Sequence, residues 1–364
     1  MKNVKLTKRV GIHLAVAGIM LSGIHAHAFT VDNSNQRTIT ITQPTPVVTT
    51  TISKAVPTPP ASSTVQTTTT IRPAGTQTAE PFAYTQVSNT PAATTPSYTS
   101  AHQNAPVFDQ LAVSTNSSAV AVLDLQSGDL IYSKNIDATR SIASISKVMT
   151  AMVILDAGLD MREEITLIPS DLVGAKKAST NLRAGDRLSR SEFTLMTLMK
   201  SENPAAKALA RTYPGGYDAF IQAMNDKAAS LGMYKTRFSD SSGLDPRNVS
   251  SASDLVKMMK AVSQDSRYQL LRNFSTAPSY DFYIVNDSLG NRTYKANNTS
   301  SLVRSGAHPI GVSKTGFIRE AGYCVVMETH VNNKPAVIVL LGANASQTRW
   351  RDAENILTQL AYRR

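Results

Sequence analysis

Ser144-Ile145-Ser146-Lys147 runs directly into Val148-Met149-Thr150-Ala151-Met152-Val153-Ile154-Leu155, and the reading of this stretch decides how the rest must fold. On a helix, residues three apart share a face, so the Ser144 hydroxyl and the Lys147 amine can meet. The run that follows is apolar on nearly every face, which predicts a buried helix rather than an amphipathic one. Gly158 suits its end, because glycine enters the left-handed conformation cheaply. A serine at the N-terminus of such a helix sits at the positive end of the macrodipole, where negative charge on oxygen is stabilised. A lysine held in apolar surroundings loses basicity, since burial disfavours its charged form. Together the two residues read as an activated nucleophile.

Outward from this helix the pattern changes with position. Residues 118–124 and 129–134 alternate apolar and polar around Gln126-Ser127-Gly128, as a β-hairpin does. Ser189-Arg190-Ser191-Glu192 fits a capping box opening a helix through Met199. Ser201-Glu202-Asn203 interrupts, and Pro204 starts another helix to about Thr212. Residues 217–231 are amphipathic and close at Gly232, and Ser251 or Ser253 caps a helix to about Val262. The period then becomes two. Residues 281–285 and 293–296 flank a turn at 288–291; residues 309–316, 321–331 and 336–342 are strands, and 349–362 is a closing helix. Strands at both ends with helices between imply an α/β (α+β) domain: one antiparallel sheet covered by flanking helices and packed against a helical lobe.

The chain has 364 residues, but its first part does not read as a folded domain. Residues 1–28 have the form of a secretory signal, with Lys2, Lys5, Lys8 and Arg9 before an apolar run and Ala26-His27-Ala28 as a cleavage site. The run is short for a membrane span of ~20 residues. Residues 29–106 are rich in Thr, Pro, Ser, Ala and Gln and lack apolar periodicity, so a disordered tether is expected. The folded domain is then residues 107–364. Export to an oxidising compartment would make Cys324 informative: it is alone, so it forms no internal disulfide, and its apolar neighbours make it a buried small hydrophobe. The formal charge of +11 includes four charges in the leader and leaves +7 afterwards. That surplus suits a cell wall or the periphery of a membrane, while nucleic acid is not expected for an exported chain without a dense Lys/Arg run.

Three short motifs matter as a set: Ser144-x-x-Lys147, Ser201-Glu202-Asn203 and Lys314-Thr315-Gly316. Ser-x-Asn also occurs at Ser114, Ser133 and Ser179; Ser201 is chosen because it lies between two helices, and Ser179 is its competitor. Lys-Thr-Gly falls on an expected strand, where a glycine lets another backbone or a ligand approach. In this order, 57 and then 113 residues apart, the three resemble the signature of penicillin-recognising serine acyltransferases. Ser141 to Lys147, Tyr213-Pro214-Gly215-Gly216-Tyr217, Ser242-Gly243-Leu244, Asn248-Val249-Ser250 and Lys314-Thr315-Gly316-Phe317 narrow the resemblance. It is to low-molecular-mass penicillin-binding proteins, D-alanyl-D-alanine carboxypeptidases and endopeptidases, and most to the endopeptidases that cut peptidoglycan cross-links.

The resemblance implies a β-lactamase/transpeptidase-like fold with about five antiparallel strands, peptidoglycan stem peptides as substrate, β-lactams as covalent inhibitors, and no cofactor. Ser144 would attack the carbonyl of the penultimate D-alanine and form an acyl-enzyme, with Lys147 taking its proton. Ser201 would relay a proton to the leaving group, and Asn203 would orient Lys147 and the substrate amide. Lys314 would supply positive charge and Thr315 would bind a substrate carboxylate. The N–H groups of Ser144 and Phe317 would form the oxyanion hole, with the Gly316 strand holding an extended peptide. Glu202 departs from the Gly or Asp often found in relatives, and Phe317 from their smaller or polar residue.

Rival chemistries fit less well. No Gly-x-Ser-x-Gly elbow exists, and only His308 and His330 lie outside the leader and tether, so a Ser-His-Asp hydrolase is disfavoured. No His-Glu-x-x-His motif or cysteine cluster supports a metal site. A β-lactamase would share all three motifs, but residues 235–246 offer Asp240 and Asp245 without a glutamate for rapid deacylation. A non-catalytic wall-binding or penicillin-sensing module would tolerate loss of a motif residue, and none is lost. Ser251 and Asp254 read as helix-cap residues and the methionines from Met196 to Met259 as core. The fold is expected to end on its closing helix, without the second β-rich domain and amphipathic anchor of many carboxypeptidases. This favours the endopeptidase over the carboxypeptidase.

Overall fold

The computed structural model describes residues 110–363; the expected leader and tether lie outside the described residues. The chain enters a hairpin of β1 (Ala119–Asp124) and β2 (Leu130–Lys134), then passes β3 (Arg140–Ser141) and one 3-10 turn (Ala143–Ile145) into α1 (Ser146–Asp156). The short strands β4 (Glu164–Thr166) and β5 (Arg187–Ser189) pair across a long loop. Three helices follow: α2 (Arg190–Met199), α3 (Asn203–Arg211) and α4 (Gly216–Ser230). β6 (Val249–Ser250) pairs with β3 and leads to α5 (Ala252–Gln264) and α6 (Gln269–Thr276). The hairpin β7 (Ser279–Ile284) and β8 (Arg292–Asn297) precedes a short α7 (Ser301–Ser305). The strands β9 (Ile310–Ile318), β10 (Gly322–Thr329) and β11 (Ala336–Ala343) and the helix α8 (Ser346–Tyr362) complete the domain.

Five strands form one antiparallel sheet in the order β2-β1-β11-β10-β9. The two ends of the domain therefore meet at its centre, where β1 pairs with β11. The period-two pattern divides the central strands between two cores. Val337, Val339 and Leu341 join residues of α1, α2 and α5 on one face. Ile338 and Leu340 meet Ile356, Leu357 and Leu360 of α8 on the other. Both faces are covered, which is why Ala336-Val337-Ile338-Val339-Leu340-Leu341 contains no polar residue. On the helical side every residue of α1 from Ser146 to Ile154 is buried. Cys324 is buried in β10, its thiol pushed up to about 11 by that burial.

Local signals act as expected. Ser189 accepts from the N–H of Glu192, whose carboxylate accepts from the N–H of Ser189, closing the capping box of α2. Ser251 caps α5 through the N–H of Asp254. Two expectations are corrected. Ser144 lies in the 3-10 turn rather than in the first turn of the helix, because Ala143 holds a φ of +49° that an α-helix does not contain, and α1 begins at Ser146. The strands expected at 281–285 and 293–296 stay outside the main sheet as their own hairpin. β7 buries Phe282 and Ile284 while Ser279, Asp281 and Tyr283 are exposed, so it has one apolar face to cover rather than two.

Candidate active site

The helix α1, the turn between α2 and α3, the loop before β6 and the edge strand β9 converge on Ser144. Close approach of these backbones needs glycine at two points. A Cβ on Gly316 of β9 would lie 2.9 Å from the Ile142 carbonyl and 3.2 Å from the Ser144 nitrogen. A Cβ on Gly243 would lie 2.0 Å from the Ala143 carbonyl and 2.8 Å from the same nitrogen. The Ser144 turn is thus clamped between a strand and a loop.

Lys147 is fully buried and reaches three oxygens. Its Nζ is 3.0 Å from the Ser144 hydroxyl, 2.7 Å from Asn203 Oδ1 and 2.5 Å from the Ser242 carbonyl. A carbonyl and an amide oxygen can only accept. They take both N–H groups of a neutral amine and leave its lone pair for the Ser144 hydroxyl proton. Burial lowers the Lys147 amine to about 7, while the charges of Asp240 and Glu202 oppose that fall.

Ser201 occupies the break between α2 and α3 with a φ of +66°, a conformation uncommon for a residue with a side chain. Pro204 at the start of α3 favours the change of direction. From there the Ser201 hydroxyl accepts from Lys314 Nζ at 2.9 Å, and Lys314 also donates to the Thr315 carbonyl at 2.8 Å. Lys314 is buried, and its amine falls well below an ordinary lysine, first through burial and then through the neighbouring charges of Lys147 and Arg349. Thr315 donates to the Thr299 hydroxyl at 2.7 Å. Glu202, between the two site residues of its motif, is buried and accepts from Thr180 at 2.7 Å and Tyr294 at 3.2 Å.

Ser144, Lys147, Asn203, Ser201, Lys314, Thr315 and Gly316 are therefore brought together. Phe317 is half-exposed, its ring stacked on Tyr323 with centroids 4.2 Å apart. Ser179 and Asn181 are exposed on the loop before β5; only Thr180 of that competing motif touches the site, through Glu202. His308 and His330 pair with Glu354 and Glu328, away from Ser144. Sequence reasoning missed the Ser242 carbonyl and the Thr299 hydroxyl. A backbone carbonyl leaves no residue-type signal, and Thr299 lies in no motif.

The site and sheet define the class: a penicillin-recognising serine DD-peptidase fold. Among solved structures, the Streptomyces K15 DD-transpeptidase matches with a TM-score of 0.64 at 25% identity, covering 69% of this chain and 99% of that one. Penicillin-binding protein D2 from Listeria monocytogenes, in a cefotaxime-bound form, matches with a TM-score of 0.59 at 26% identity, covering 70% of this chain and 100% of that one. A family model described as Peptidase S11, D-alanyl-D-alanine carboxypeptidase, matches residues 103–345. The chain belongs to this family. It is 40% identical over 280 residues to a D-alanyl-D-alanine endopeptidase of Escherichia coli, spanning 77% of this chain and 84% of the relative. A D-alanyl-D-alanine endopeptidase of Pseudomonas aeruginosa is also 40% identical, over 66% of this chain and 76% of its own length.

Proposed function

We propose that this chain is an exported D-alanyl-D-alanine endopeptidase that cleaves peptidoglycan cross-links through an acyl-enzyme on Ser144. The observation that carries the chemistry is the orientation of Lys147, whose obligate acceptors leave its lone pair to the Ser144 hydroxyl. Ser144 Oγ bonds to the carbonyl carbon as its proton passes to Lys147 Nζ. The tetrahedral oxyanion is received by the N–H groups of Ser144 and Phe317. When the C–N bond breaks, the leaving amine gains a proton through Ser201, and water then hydrolyses the ester. Lys314 and Thr315 receive the substrate carboxylate, while the free edge of β9 takes the peptide as an added strand.

The cross-link specificity is supported by the two endopeptidase relatives at 40% identity. The leader-like residues 1–28 support export to the periplasm, and the positive surplus supports association with the wall or a membrane surface. β-Lactams are expected to acylate Ser144 and to leave slowly, because Asp240 and Asp245 are both engaged by local hydrogen bonds. Purified cross-linked dimeric muropeptides test the reading. Release of monomers supports it, whereas loss of only the terminal D-alanine from pentapeptides assigns a carboxypeptidase, the name borne by a Streptomyces relative at 31% identity. Fluorescent penicillin should label the wild type and not Ser144→Ala; unchanged labelling removes Ser144 as nucleophile.

A further inference from the structure

We propose that Asp240 is a positioning residue for the acylation step, acting through the loop that clamps Ser144 and orients Lys147. The proposal rests on Ser144 and Lys147 as the reacting pair. It does not depend on whether the peptide cut is a cross-link or a terminal bond.

One carboxylate organises this loop. Asp240 Oδ1 accepts from the N–H of Gly243 at 2.7 Å and from Asn248 Nδ2 at 2.9 Å. Its Oδ2 accepts from the Ser242 hydroxyl at 2.8 Å and the N–H of Asp245 at 3.3 Å. The two residues held most directly are those that touch the site. The Ser242 carbonyl accepts from Lys147, and Gly243 lies against Ala143 and the Ser144 nitrogen. Gly243 has a φ of +82°, which the Asp240 hydrogen bond to its N–H fixes in place.

A second arm reaches the other side of the same turn. Asn248 is fully buried, accepts from the N–H groups of Ser239 and Asp240, and donates to Ser146 Oγ at 2.9 Å. Ser146 in turn donates to the Ala143 carbonyl at 2.9 Å. The Asn248 carbonyl accepts from the N–H of Ile142. Loop and nucleophile turn thus share a closed set of hydrogen bonds centred on Asp240. These groups bond to one another and to the nucleophile turn, so the effect is one of placement.

The same carboxylate contributes charge. The charges acting on Lys147 are Asp240 from this loop and Glu202 from the α2–α3 turn, and both favour the ammonium; Lys314 of β9 is itself lowered by the charge of Lys147.

The test is Asp240→Asn in the full chain, measured by the rate of acylation with a fluorescent penicillin across pH. An amide of the same shape turns one acceptor into a donor facing the donors of Ser242 and Asp245. Acylation should fall about 10- to 100-fold, since small misplacement of a reacting pair carries costs of that order. The acidic limb of the profile should move to lower pH, because a charge favouring protonated Lys147 is gone. A second variant, Ser146→Ala, cuts the Asn248 arm while keeping the carboxylate; it should slow acylation without moving the limb. An unchanged rate in Asp240→Asn overturns the proposal. So does a slower rate with an unmoved limb that merely parallels a loss of thermal stability. Labelling lost in Ser144→Ala but unaffected by Asp240→Asn would leave the serine peptidase reading intact while refuting this one.

Discussion

Lys314 and Ser201, 113 residues apart, meet through a 2.9 Å hydrogen bond that joins the edge strand to the helical lobe. The bond ties the α2–α3 turn to β9 and sets the Ser201 hydroxyl against a buried amine. Ser201→Ala removes this hydroxyl and leaves Lys314 donating to the Thr315 carbonyl. Peptide turnover should drop by about 10²- to 10⁴-fold, the range for loss of a positioned proton donor. Acylation by penicillin should drop less, because relief of ring strain drives that C–N cleavage even though the lactam nitrogen also takes up a proton. Comparing kcat for a peptide with the penicillin acylation rate checks this; an undiminished peptide kcat would argue against a proton relay.

The pH dependence of acylation follows from Lys147. Lys147 must be neutral to accept the Ser144 proton, and burial brings it to about 7. Below that pH the rate should fall by about tenfold per unit, as a single required deprotonation dictates. Lys314 also lies well below the ordinary lysine value, through burial and the charges of Lys147 and Arg349, so a substrate carboxylate bonded to it favours its charged form. A substrate analogue with that carboxylate removed should keep the acidic limb set by Lys147 and show a raised KM.

Gly316 carries a sharper structural test. Its added Cβ would press on the Ile142 carbonyl at 2.9 Å and on the Ser144 nitrogen at 3.2 Å, and both are backbone. Either β9 or the nucleophile turn must retreat. Gly316→Ala should slow acylation by about 10²-fold, with a stability loss on the order of 1–3 kcal/mol from overpacking. Urea unfolding and penicillin acylation measured on the same preparation separate the two effects. Full-rate acylation would mean that the strand and the turn are not coupled.

The parts legible in sequence were those with a local physical signature. The capping box at Ser189, the break at Ser201 and the apolar run after Lys147 each fix their own conformation, and the structure follows them. The period-two strands were visible, but alternation does not say which sheet a strand joins; β7 and β8 pair with each other, with one bridge from Val285 to Arg187 of β5, and not with the main sheet. β3, β4, β5 and β6 have two or three residues each, too few to display a period. α6 begins out of a 3-10 turn at Tyr268 without a side-chain cap, and α7 has only five residues. In the site, side chains on the three motifs were readable, whereas the Ser242 carbonyl and the role of Asp240 arise from how a loop closes over Gly243. Such closure depends on contacts between residues about a hundred positions apart, as with Asn248 and Ser146.

Beyond the catalytic groups, Asp186 shows how the long loop before β5 is fastened to the β7–β8 hairpin. Its carboxylate is fully buried and accepts from Arg292 at 2.7 and 2.6 Å, from Asn286 at 2.8 Å and from the N–H of Arg183 at 2.7 Å. Burial alone would raise this carboxyl, but those donors outweigh it and hold it below the usual aspartate value. Arg292→Ala should therefore leave an uncompensated buried charge and cost about 3–5 kcal/mol at neutral pH. The sign with pH is fixed by linkage. In the wild type the lowered carboxyl contributes stability that is present above its unfolded value near 3.8 and is lost as pH falls through the folded value. In the variant the carboxyl rises and protonates sooner, so the gap between the two proteins should narrow on acidification. Urea titrations of both proteins at pH 7 and at successively lower pH measure that gap. A gap that is constant with pH would show that Arg292 acts through packing rather than through the charge of Asp186.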